Sequence, residues 1–83
     1  GCGGTPPTSF SDEARPLAQA MQSAVKKKET STIDTIVSKA EERLANKSVS
    51  EREMQVLKQC QEYAQNEDWE SAQKLIDESL AFR

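Results

Sequence analysis

The sequence predicts an all-α fold, a small antiparallel four-helix bundle, on three observations. From residue 12 onward there is no glycine and the only proline is Pro16. Apolar residues over the same region recur at offsets of three and four, which is the spacing of one helix face. Short polar breaks separate the apolar stripes, and each break carries residues that start helices. At 83 residues, 35% hydrophobic and 30% charged, the chain supplies one thin core. A domain of this length buries roughly 60% of the surface its unfolded chain exposes, which leaves no room for a second core or a large enclosed cavity.

Residues 1–11 hold all three glycines and two of the three prolines, with no repeating apolar face. They read as a flexible tail or linker, with Phe10 the one residue expected to touch the fold, ahead of a domain over residues 12–83. The first helix is expected over 15–28, where Leu17, Ala20, Met21, Ala24 and Val25 make one stripe. Pro16 suits its first turn, because an N–H missing there has no partner to lose, so Ser11, Asp12 and Glu13 form a preliminary turn. Lys26, Lys27 and Lys28 complement the dipole at the helix end.

The second helix is expected over 32–46, with Ser31 as its cap and Asp34 at capping-box spacing. Ile33, Ile36, Val37, Ala40 and Leu44 form its inner face, and Asn46 suits a left-handed C-cap. The third, over 51–65, has the strongest start. Ser50 and Glu53 form a full capping box, and Val49 and Met54 occupy the two positions of a hydrophobic staple. Val56, Leu57, Cys60, Tyr63 and Ala64 point inward. Asp68 caps the fourth helix, expected over 69–82, with Trp69, Ala72, Ile76 and Leu80 on one face and Leu75 and Phe82 broadening it. Its short preceding turn sets the third and fourth helices antiparallel.

Enzymatic chemistry has little to work with. The absence of histidine removes the His-based triad, the usual metal sites and the imidazole proton relay. Glu67, Asp68 and Glu70 resemble an acidic metal cluster, but a cap followed by an acidic first turn accounts for them, and the calcium-loop glycine is missing. No phosphate-cradling glycine loop is present; no metal and no cofactor are expected. Cys2 sits in the Gly-rich start and Cys60 on an apolar stripe, so the pair reads as a tail thiol and an inert packed thiol in a reducing compartment. Asn46-Lys47-Ser48 matches a glycosylation acceptor, but a match of this length arises readily by chance. No apolar run reaches the roughly 20 residues that cross a bilayer.

Lys26, Lys27 and Lys28 are the candidate basic contact for phosphate. Against that use, residues 1–45 carry six basic and six acidic side chains and residues 46–83 five basic and eight acidic, giving a net charge of -3. Phosphate backbones need several converging cations, so nucleic acid is not the expected partner. A protein or short peptide segment is, with Trp69, Leu75 and Phe82 as candidate binding residues, although core packing also accounts for Trp69 and Phe82. A homodimer completed through the Leu75 and Phe82 face is a further possibility.

The segments Arg15-Pro16-Leu17-Ala18-Gln19-Ala20-Met21 and Asn66-Glu67-Asp68-Trp69-Glu70-Ser71-Ala72 carry a family resemblance. The chain resembles, over roughly residues 15–80, the C-terminal helical domain family of steroid receptor RNA activator protein and the larger outer-coat subunit of endoplasmic-reticulum export vesicles. The resemblance implies a helical, non-enzymatic protein-binding domain. It implies a role in vesicle-coat assembly and endoplasmic-reticulum-to-Golgi transport, in the cytoplasm at export sites. Its alternative is an RNA-associated or transcriptional regulatory domain in the nucleus. Those relatives continue into another helical segment beyond the fourth.

Overall fold

A computed structural model describes residues 6–81, so Cys2 and Phe82 lie outside the described residues. Four helices follow one another: α1 (Arg15–Lys27), α2 (Thr30–Ala45), α3 (Glu51–Gln65) and α4 (Trp69–Ala81), with no strand among the described residues. Each helix packs on its neighbours in a ring, α1 on α2, α2 on α3, α3 on α4 and α4 back on α1, and α1 also approaches α3 across the centre. The starts of α1 and α3 and the ends of α2 and α4 therefore share one end of the bundle.

The turns explain how such short links reverse the chain. α1, α2 and α3 all end in the same left-handed motif, with Lys28 at φ 59°, Lys47 at φ 63° and Glu67 at φ 60°. At each, two backbone N–H groups reach back to carbonyls of the last turn. Lys28 and Glu29 donate to Val25 and Ala24, Lys47 and Ser48 to Leu44 and Arg43, and Glu67 and Asp68 to Ala64 and Tyr63. This is the six-to-one and five-to-two pairing that glycine usually permits, made here without any glycine. The expected left-handed cap at Asn46 is corrected accordingly: Asn46 has φ -89° and the reversal falls on Lys47.

The motif also moves the start of α2. Glu29 closes the α1 turn and immediately serves as the residue before α2, so the helix begins at Thr30 and Ser31 lies inside its first turn. Ser31 is not the cap; no side chain caps α2, and the Ser31 carbonyl accepts from Thr35 Oγ1 at 3.1 Å. Asp68 plays the same double role between α3 and α4, and its Oδ1 accepts the Ser71 N–H at 3.3 Å. α3 has the full capping box. Ser50 Oγ accepts from the Glu53 N–H at 3.2 Å and Glu53 Oε1 accepts from the Ser50 N–H at 2.7 Å, with Val49 and Met54 both buried beside it.

One core unites the four helices, centred on Met21, Ile33, Leu57 and Ile76. Enclosing each such side chain stabilises the fold by roughly 1.5–3 kcal/mol relative to leaving it in water. The segment before α1 belongs to this core as well. Phe10 is only 5% exposed and closes the end of the bundle where α1 and α3 start. On either side of it the backbone is tied down, Thr8 N–H to Ser79 Oγ on α4 at 3.3 Å and Ser11 N–H to Glu53 Oε2 on α3 at 2.7 Å. Residues 8–11 are thus a strap across the bundle end rather than part of a free tail.

Candidate protein-binding groove

Of the three residues grouped as candidate anchors, two are described. Leu75 is 6% exposed and lies inside the core, Trp69 is half-buried against it, and Phe82 is outside the described residues. Lys26, Lys27 and Lys28 are all exposed at the end of α1. Lys26 lines a polar recess with Gln22, Gln73 and Asp77, while Lys28 is committed to the left-handed turn.

The surface that does stand out follows from Ala20. It belongs by spacing to the apolar stripe of α1, but it is exposed, and Ala18 takes the buried position instead. α1 packs chiefly on α4 and α2 and less on α3, and one edge of its apolar arc stays outside. That edge, Pro16, Leu17 and Ala20, faces Thr32, Thr35 and Ile36 of α2 across a groove of about 390 Å³. Leu17 and Ile36 form its floor, and both are buried.

The other three seams of the ring are bridged by polar contacts. Gln22 Nε2 donates to Asp77 Oδ1 at 2.6 Å between α1 and α4, Gln61 Nε2 to Asp34 Oδ1 at 2.9 Å between α3 and α2, and Lys58 pairs with Glu41 at 3.6 Å along the same seam. Cys60 Sγ contacts the Ala72 carbonyl at 3.8 Å between α3 and α4. Among the described residues no hydrogen bond or ion pair crosses from α1 to α2. Its walls are alanine, proline and threonine, short enough for another backbone to approach.

Charge enters at one flank. Lys39 and Arg43, one turn apart on α2, line the groove, and among the described residues neither side chain has a hydrogen bond or an ion pair. Glu13 stands at the end of the groove near the start of α1. Sequence reasoning missed this site because each residue looks ordinary by itself. The available signal was an apolar α1 stripe wider than a thin core needs, opposite a helix whose facing positions are threonines.

Chemical reactivity is low where it was sought. Burial pushes the Cys60 thiol up from its ordinary 9.0 to about 12, so at neutral pH it is a protonated packing group and not a nucleophile. No group of three metal-ligating side chains converges among the described residues, and no helix there is long and apolar enough to cross a membrane. No known protein family, curated protein or solved structure matches the chain.

Proposed function

We propose that this domain is a non-enzymatic protein-interaction module that receives a protein segment in the groove between α1 and α2. The observation that carries the reading is the contrast among the four seams of the ring: among the described residues the α1–α2 seam is the one without a polar bridge, and it exposes the apolar wall atoms of Pro16 and Ala20 above a buried floor. A helix or extended segment laid there removes that surface from water without breaking an existing bond.

The resemblance of the Arg15–Met21 and Asn66–Ala72 segments to the coat-subunit family extends the reading to vesicle-coat assembly, with the domain working in the cytoplasm at endoplasmic-reticulum export sites. The RNA-associated alternative has less support. It depends on Lys26, Lys27 and Lys28 acting as one cationic patch, and Lys26 opens instead toward Asp77.

Affinity capture with the full chain and with Ala20→Arg tests the reading. The arginine fills the groove from an exposed position, so its circular dichroism should match the parent. Partners that drop at least several-fold with the variant support the module; partners retained equally by both contradict it.

A further inference from the structure

The groove has a charge pattern as well as a shape, and the pattern restricts what fits it. Lys39 and Arg43 sit at i and i+4 on α2, which places them along one wall about one helical turn apart. Like every described lysine and arginine except Lys58, neither is in an ion pair; what sets these two apart is their place together beside the apolar groove. Two cations side by side along an apolar groove make a flank where opposite charge on a partner is complementary. Glu13 gives the opposite sign at the far wall, on the α1 side.

We infer, building on the interaction-module reading, that the occupant is a short amphipathic helix with two acidic residues at i and i+4 along one edge of its apolar stripe. The stretch of α2 from Thr32 to Arg43 sets its length: at 1.5 Å rise per residue it runs about 17 Å, or about three helical turns of a partner lying alongside. The partner's apolar stripe covers Pro16 and Ala20 above the floor of Leu17 and Ile36, its acidic edge faces Lys39 and Arg43, and its other edge carries a neutral or basic residue opposite Glu13. The short side chains of Thr32 and Thr35 let the helix settle close to α2. Steering by the two cations speeds encounter and fixes the orientation of the helix in the groove.

The test is a display selection of 16-residue helical peptides that share a fixed leucine stripe and have randomised flanks, run in parallel on the full chain and on Lys39→Glu/Arg43→Glu. Both substituted residues are exposed, and circular dichroism checks that the variant is folded. The parent should enrich Asp or Glu at i and i+4 on one flank, and the charge-reversed chain should enrich Lys or Arg at the same positions. A peptide selected on the parent should bind the variant roughly tenfold more weakly, because two attractions become repulsions. Enrichment of neutral or basic flanks on the parent, equal binding to both chains, or no enrichment at all overturns the acidic-helix inference. The module reading is judged separately by the Ala20→Arg capture: partners lost there alongside neutral selected peptides would leave the groove as the site and remove only the charge of its occupant.

Discussion

Glu53 Oε2 accepts the backbone N–H of Ser11 at 2.7 Å, across 42 residues of sequence, while Oε1 of the same carboxylate completes the capping box with Ser50. One buried side chain, 5% exposed, therefore starts α3 and anchors the strap that leads into α1. Hydrogen bonds to a charged acceptor are each worth about 1.5–3 kcal/mol. Glu53→Ala loses two of them, so it should cost about 3–6 kcal/mol, more than the roughly 0.5–2 kcal/mol expected for Ser50→Ala, which removes only the reciprocal bond. Urea unfolding of both variants checks the order; a Glu53→Ala cost no larger than that of Ser50→Ala would contradict the double role.

The strap should behave as part of the cooperative fold. Phe10→Ala empties a core position and should cost about 3–5 kcal/mol, a large share of the 5–15 kcal/mol typical of a domain. Because Phe10 and Glu53 hold the same segment, the double variant should fall short of the sum of the single costs by more than about 0.5 kcal/mol. Strict additivity would mean that residues 8–11 are held at independent points.

Lys28, Lys47 and Glu67 carry backbone conformations that cost a residue with a Cβ about 1 kcal/mol each relative to glycine. Part of that is returned by the greater freedom glycine has in the unfolded chain, so replacement by glycine at each site should raise stability by up to about 1 kcal/mol. The triple variant should melt several degrees above the parent. A fall in melting temperature at all three sites would argue against the left-handed turns.

Cys60 makes stability depend on alkaline pH. Its folded value of about 12 lies above the ordinary 9.0, so the unfolded chain loses the thiol proton first. The thiol's contribution is fully present below about 9 and declines as pH rises toward about 12, with a slope approaching 1.4 kcal/mol per pH unit. Between pH 9 and 11, the stability gap between the parent and Cys60→Ala should narrow. In a Cys2→Ser chain at pH 8 the Cys60 thiol should react with a disulfide reagent only as fast as the protein opens; immediate reaction would contradict the burial.

Much of the fold was legible because local signals and burial agreed. Ser50, Glu53, Val49 and Met54 specify the start of α3 within six residues, and Asp68 marks that of α4. The start of α2 was misread at Ser31 because the left-handed turn at Lys28 advances the helix, and nothing about a lysine signals that conformation. The strap was hidden for a different reason. Phe10 lies in an aperiodic segment, and its anchors, Glu53 and Ser79, are polar residues on core-facing positions of α3 and α4. Glu53 keeps the spacing of Leu57, Cys60 and Ala64, so a carboxylate in that register was the clue that something must satisfy it. The groove was least legible, since it depends on how α1 is rolled against its neighbours, and Ala20 fits either side of that choice.

Backbone amide shift mapping of the isotope-labelled chain with a partner captured on the parent and lost on Ala20→Arg tests the central claim most directly. The account predicts that the largest perturbations fall on Ala20, Thr32, Thr35, Ile36 and Lys39, the two walls and floor of the α1–α2 groove. Perturbations concentrated on Trp69 and the exposed face of α4, with Ala20 and Thr35 unmoved, would contradict it.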